Sequence, residues 1–166
     1  MTQVLKYHSW QPYVRIEFSN MKQILCVVDL TESSGKVLKV AGRMAKAYDT
    51  GLLVLYPYRL IANGHPDDNI SSLKLRLETL AREKFIDIIG KSGLEDLPCD
   101  FQPEIGFLAD RISAHARRKN IDMVIIAQQQ SDKENDIRSY NLHNLISNSQ
   151  IPFVIVPAEV NAEASA

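Results

Sequence analysis

The residues able to do chemistry are scattered along a chain of 166 residues. Asp29 follows the apolar run Ile24-Leu25-Cys26-Val27-Val28 and precedes Thr31-Glu-Ser-Ser34, which places it at a strand-to-helix junction. Open α/β folds bind ligands at such junctions, and the alternative for the carboxylate is capping the helix, in competition with Thr31, Ser33 and Ser34. Gly35-Lys36 and Gly90-Lys91-Ser92 have the ending of a phosphate-binding P-loop, but neither has the upstream glycine, and the second lies at the end of a helical pattern. His65, Asp67 and Asp68 form a polar loop cluster better suited to a solvated connection than to a metal, and His8, His115 and His143 have no ligand spacing between them. His115, next to Arg117 and Arg118, is predicted to lie on a solvated helix flank. No serine stands in a Gly-x-Ser-x-Gly elbow, and no nucleophile, base and oxyanion donor stand together, so no catalytic residue and no metal ligand is assigned. Gln128-Gln129-Gln130 offers hydrogen bonds to an uncharged polar ligand at the end of a strand, with a solvated loop entrance as the other reading.

The elements that must position these groups alternate. Ile24 to Val28, Leu52 to Tyr56 and Met123 to Ala127 are unbroken apolar runs, the pattern of strands buried on both faces, as in parallel sheets. Leu97, Cys99 and Phe101 alternate with polar neighbours and are followed by Pro103, which cannot donate a ladder hydrogen bond, so this strand is predicted at an edge. Phe153-Val154-Ile155-Val156 forms the last strand. Between the strands, Val37, Leu38, Ala41, Met44, Ala45 and Tyr48 mark a first helix stopped by Gly51. Ile70, Leu73, Leu77, Leu80, Phe85 and Ile88 mark a long second helix ending near Gly90 or Gly93. A third helix is predicted from Phe107 to Asn120, and a short fourth near Arg138 to Asn148 through Leu142, Leu145 and Ile146. Five strands alternating with four helices, with no internal linker, predict one α/β sandwich with helices on both sheet faces.

Composition narrows the partners. Nineteen Lys and Arg against 20 Asp and Glu give a formal charge of −1, which offers no bulk attraction for nucleic acid or anionic lipid. No apolar stretch reaches the roughly 18 residues of a membrane span, and the polar, aromatic first residues do not read as a signal peptide. Cys26 and Cys99 belong to no CxxC or Cys/His cluster and read as reduced thiols of a cytoplasmic protein.

Three stretches together resemble the universal stress protein family, a branch of the adenine-nucleotide α-hydrolase-like fold, over residues 21 to 157. They are Lys22-Gln-Ile-Leu-Cys-Val-Val-Asp29 with the helix ending Ala45-Lys-Ala-Tyr-Asp-Thr-Gly51; Ile112-Ser-Ala-His-Ala116 through Asn120-Ile-Asp-Met-Val-Ile-Ile-Ala127; and Ile151-Pro-Phe-Val-Ile-Val-Pro157. The resemblance implies a three-layer α/β/α sandwich with a five-stranded, mostly parallel sheet in the order 3-2-1-4-5. It leaves residues 1–20 as an extension, in which Val14, Ile16 and Phe18 alternate as in an added edge strand, and 158–166 as a mobile tail.

The resemblance also implies that Asp29, with the adjoining Leu30, contacts a nucleoside and that Tyr56 and Pro57 meet its adenine. Phosphates in that family lie on a loop of the pattern Gly, two residues, Gly, nine residues, Gly, then Ser or Thr. Here Ala127 and Gln130 stand at the first two glycine positions, Gln128 lies between them, and Ser139 or Tyr140 stands at the third. None of the seven glycines lies beyond Gly106, so the loop from Gln128 to Asn141 has none with which to bring its backbone close to phosphate oxygens. Lys133 and Arg138 face Asp132, Glu134 and Asp136 in the same stretch, which makes it no lure for a triphosphate. The expectation is therefore a regulatory or interaction module of the stress response with a degenerate nucleotide site and no obligate cofactor. The alternative is a binder of an adenine nucleoside or AMP-type ligand, with ATP hydrolysis the weakest reading. Members of the family commonly form homodimers through the last strand, so Phe153, Val154, Ile155 and Val156 are the expected dimer edge, alongside an unidentified regulatory protein partner.

Overall fold

In the computed structural model, residues 21–60, 69–118, 121–128, 144, 146, 147 and 149–157 are described. The elements run β1 (Gln23–Val27), α1 (Ser34–Ala47), β2 (Gly51–Tyr58), α2 (Ile70–Ser92), β3 (Asp100–Ile105), α3 (Leu108–Arg118), β4 (Met123–Ala127) and β5 (Phe153–Val156). The strands form one sheet in the order β3-β2-β1-β4-β5, with all four pairings parallel. The fold and strand order are those the resemblance implied.

Period-2 alternation along β1 sorts its side chains into two cores. Ile24, Cys26 and Val28 pack with Val37, Leu38 and Ala41 of α1 and with Ala81 and Phe85 of α2. Leu25 and Val27 pack on the opposite face with Leu108 and Ile112 of α3, and Ile146, Ile151 and Phe153 lie against that cluster. Because both faces are covered, the strand is apolar throughout rather than alternating. At its lower end β1 is tied to β4 by Asp122, whose carboxylate accepts from the backbone N–H groups of Lys22 and Gln23, while Asp122 donates its own N–H to the Gln23 carbonyl at 3.0 Å.

Several boundaries differ from the sequence expectation. Helix α1 is not stopped by Gly51, which is the first residue of β2; Asp49, at φ 49°, makes the left-handed turn, and the Thr50 N–H closes onto the Ala45 carbonyl at 3.0 Å. Aspartate is among the few residues with a Cβ that enter this region readily. Strand β3 begins at Asp100, so Leu97 and Cys99 precede it. Leu97 packs instead against α1, where a Cβ on Gly42 would stand 2.7 Å from Leu97 Cδ1. Pro103 does lie in an edge strand. Gly93, at φ 63°, ends α2 as a left-handed C-cap.

The apolar stripe assigned to α2 is only partly buried: Ile70 and Leu80 are 62% and 51% exposed, and within the helix only Ala81 and Phe85 are fully covered. Ile70 stands in the first turn, and Leu80, one position before buried Ala81, is turned about 100° away from it around the helix axis and so faces away from the core. Of the predicted fourth helix, Asn144, Ile146 and Ser147 are described and helical. Its remaining residues, the extension 1–20 and the tail 158–166 lie outside the described residues.

Both cysteines are free thiols; Cys26 is buried and Cys99 half-buried. Burial, reinforced by Cys99, pushes the Cys26 thiol far above its ordinary value of 9.0.

Three outcomes are expected. Ile125→Ala, in the middle of β4 with no exposed surface, lowers unfolding free energy by about 2–5 kcal/mol in urea titrations, while Ile155→Ala, at 47% exposure, costs under about 1 kcal/mol. A thiol reagent labels Cys99 in the native protein and Cys26 only after unfolding. Because the folded state keeps Cys26 protonated while the unfolded thiol ionises near 9.0, stability holds below that pH and falls as pH rises above it.

Candidate functional site

The sheet reverses direction between β1 and β4: from β1 the chain moves outward through β2 and β3, then returns to the other side of β1 for β4 and β5. Open α/β sheets place a ligand crevice at such a reversal, at the carboxyl edge of the sheet. Asp29 lies on the β1 side and Ala127 and Gln128 on the β4 side. Tyr56 and Pro57 lie in the last turn of pleat of the neighbouring β2.

Asp29 acts first on its own chain. Its Oδ1 accepts from the Thr31 N–H at 3.1 Å, the Thr31 hydroxyl at 2.6 Å and the buried Ser34 hydroxyl at 3.0 Å. Thr31 Oγ1 and Ser33 Oγ lie 2.9 Å apart. The expected hydroxyl cap on α1 is therefore not made: Ser33 occupies the N-cap position without a side-chain cap hydrogen bond and meets the Thr31 hydroxyl, while the Thr31 and Ser34 hydroxyls turn back to Asp29. Between them Leu30, at φ 57°, takes the left-handed conformation that folds the turn over the end of β1. A leucine held at positive φ is uncommon, and the three donors on Asp29 hold it there.

Strand alternation separates Tyr56 from Pro57. Tyr56 faces the layer of α1 and α2 and packs at the margin of that core, while Pro57 pairs with Glu104 in β3. Tyr58, one pleat further on, is almost fully buried and donates its hydroxyl to Glu78 Oε1 of α2 at 3.0 Å. The Tyr56 and Tyr58 rings lie nearly parallel, 17° apart, with centroids at 6.0 Å. Burial, and then the Asp29 carboxylate, pushes the Tyr56 phenol above its ordinary range, so its hydroxyl is a neutral hydrogen-bonding group at physiological pH. Burial and the bond to Glu78 do the same for Tyr58.

Across the crevice Ala127 is buried and paired with Val156, and Gln128 is exposed just beyond it. Gln130, Ser139 and Tyr140 lie outside the described residues. Of the nine residues singled out from the sequence, six are thus placed along the carboxyl edge, with Asp29 and Tyr56 electrostatically coupled. The edge strand Phe153–Val156 pairs with β4 on one side, and Ile155 is exposed. Among the described residues no group of three or more His, Cys, Asp or Glu could hold a metal ion.

One cluster was misplaced by the sequence reading. His115 is not on a solvated flank: it is 6% exposed, with Nε2 2.8 Å from Glu104 Oε1, while Arg111 Nη1 stands 3.9 Å from Glu104 Oε2. The legible signal was the spacing Leu108, Ile112, His115, which puts the imidazole on the buried face of α3. The bond between Tyr58 and Glu78 joins residues twenty positions apart and had no local signal.

The universal stress protein family model matches residues 20–157. Among solved structures the chain is similar to a universal stress family protein from Burkholderia pseudomallei, with 14% identity, a TM-score of 0.61 and coverage of 86% of this chain and 98% of that one. It is similar to UspA from Lactobacillus plantarum, with 14% identity, a TM-score of 0.62 and coverage of 81% and 97%. It is also similar to a family protein from Arabidopsis thaliana determined with AMP bound, with 13% identity, a TM-score of 0.54 and coverage of 87% and 96%. Among curated proteins none matches the chain.

The turn geometry makes a prediction independent of any ligand. Asp29→Ala removes an acceptor shared by three donors and lowers stability by about 1–2 kcal/mol in urea titrations, whereas Asp29→Asn, which keeps an acceptor oxygen, loses about half as much.

Proposed function

We propose, from the premise that this chain belongs to the universal stress protein family, that it is a cytoplasmic regulatory and interaction module of the stress response that works as a homodimer paired through β5. The observation that carries this reading is the contrast between the two edges of the sheet. β3 is blunted: Pro103 has no N–H to offer, Asp100 and Glu104 put charge along the strand, and Arg82 Nη1 of α2 donates to the Phe101 carbonyl at 3.4 Å. β5 has none of these devices. Its four residues are all apolar, and among the described residues it pairs only with β4. An apolar strand with an open ladder is suited to adding a second copy of the same strand across a two-fold axis.

The second reading, that the crevice binds an adenine nucleoside or AMP-type ligand, is supported by the placement of Asp29 at the switch point between β1 and β4, with Tyr56 near the end of the adjoining strand β2. The similar Arabidopsis thaliana protein was determined with AMP bound. ATP is the less suitable ligand, since the stretch from Gln128 to Asn141 carries no glycine and more carboxylates than cations. The arrangement also presents no nucleophile and base for hydrolysis among the described residues, so binding and association, not turnover, are the proposed activities.

Native mass spectrometry of the gently purified full chain is the direct test. The proposal expects a dimer, and Ile155→Asp, which places a carboxylate on the exposed face of β5, is expected to give monomer with an unchanged circular dichroism spectrum. A wild-type monomer across the micromolar range overturns the pairing.

A further inference from the structure

Helix α2 gives the core one face and leaves a flank open. Ala81 and Phe85 are buried, and the Phe85 ring stacks on Phe101 of β3 with centroids 4.1 Å apart, so the helix lies over that margin of the sheet. Leu75 and Ile86, at 67% and 68% exposure, are the two most exposed large apolar side chains among the described residues. At about 100° of rotation per residue they stand within about 20° of each other around the axis, about three turns apart. Ser72, Leu75, Thr79, Arg82 and Ile86 follow one another in steps of three and four, the spacing that keeps one seam of a helix facing a second helix. The polar members of this seam already have partners in their own chain: the Ser72 hydroxyl donates to the Asn69 carbonyl at 2.8 Å, the Thr79 hydroxyl to the Leu75 carbonyl at 2.9 Å, and Arg82 Nη1 to the Phe101 carbonyl at 3.4 Å. Covering the seam therefore strands neither hydroxyl.

We propose that this flank of α2 is a second self-association surface, on which α2 of another copy packs antiparallel across a two-fold axis. In the register that sets Leu75 against Ile86 of the second copy, symmetry also sets Ile86 against its Leu75, and Thr79 falls opposite the stem of Arg82 in both directions. One register thus matches every layer of the seam, whereas a parallel pairing would set Arg82 against Arg82. The charges beside the seam single out a copy of this chain as the occupant. Lys74 and Lys91 are paired within α2, to Glu78 at 3.8 Å and to Asp87 at 2.7 Å, and Lys84 lies on the far side of the helix. Arg76 and Glu83 flank the seam, have no ion pair among the described residues, and in the same register come alongside Glu83 and Arg76 of the other copy. With two large apolar side chains per copy the contact falls below the size of a standard interface, so it associates between about 0.1 and 1 mM. It lies at the β3 margin, away from β5, and does not rest on the β5 pairing; where both contacts form, dimers join into larger assemblies.

The test is sedimentation velocity of the full chain carrying Ile155→Asp, which takes β5 pairing out of the measurement, from about 10 µM to about 1 mM. The expected result is monomer at the low end and a rising share of dimer above about 0.1 mM. Adding Ile86→Asp is expected to weaken that dimer by more than about tenfold. Adding Arg76→Glu, which sets like charges together at both symmetric positions, is expected to weaken it by about fivefold, and Arg76→Glu combined with Glu83→Arg to restore it. Monomer at every concentration overturns the proposal and leaves the flank to an occupant of another kind. A dimer indifferent to Ile86→Asp, or a double charge variant no stronger than the single one, overturns it as well. The wild-type chain keeps the two contacts apart: if it sediments as the Ile155→Asp chain does, the β5 pairing fails while the α2 variants still decide this one. All the substituted positions are exposed, and circular dichroism reports whether each variant is folded. If Ile86→Asp is not, the charge exchange decides alone.

Discussion

Every other element depends on β1 being saturated in all four directions. It pairs with β2 on one side and β4 on the other, and helices or their connecting segments cover both of its faces. A backbone carrying an N–H and a C=O at every residue can be buried this deeply only when both ladders are complete, because an unpaired polar group in the interior forfeits its hydration without replacement. The apolar run from Ile24 to Val28 and the central position of β1 are therefore the same fact in two forms. Asp122 holds the lower end of this arrangement by accepting the first N–H groups of β1.

The upper end of β1 is where order turns into opportunity. Once the chain leaves Val28 it must reverse into α1 in a few residues, and the turn is made with a leucine at positive φ held by three hydrogen-bond donors on one carboxylate oxygen. Asp29 is in this sense a structural residue, and the ligand role proposed for it is compatible with that: a carboxylate fixed by its own turn is a preorganised group, and its charge is one of the causes that raise the Tyr56 phenol. The reversal between β1 and β4, where open α/β sheets place a ligand crevice, is a consequence of strand order and right-handed crossovers, not of any single residue.

The two margins of the sheet show how the same constraint is handled differently. At β3, proline, acidic side chains and Arg82 discourage pairing, and the part-buried contact between Glu104 and His115 binds the strand to α3. At β5 the strand is short and apolar. Short edge strands are one way of limiting aggregation, and pairing with a copy of the same strand is another, since a two-fold contact closes on itself.

Much of this was legible in the sequence, because it depends on local periodicity. Continuous apolar runs identified β1, β2 and β4, Pro103 identified an edge, and the alternation of elements identified the layered α/β architecture. The position of Asp29 at a strand end was equally plain. What only the tertiary structure decided were contacts between residues remote in the chain or choices among competing local partners. Thr31, Ser33 and Ser34 each offered to cap α1, and packing turned the hydroxyls toward Asp29 instead. The apolar residues of α2 have helical spacing along the whole element, but only the turn around Ala81 and Phe85 is fully covered, and Ile70 and Leu80 stay exposed. His115 met Glu104, and Tyr58 met Glu78, only because β3 and α3, or β2 and α2, were brought side by side. Sequence determines which faces of an element are apolar because that is a property of neighbours along the chain; which side chain finds which partner depends on distances that do not exist until the layers close.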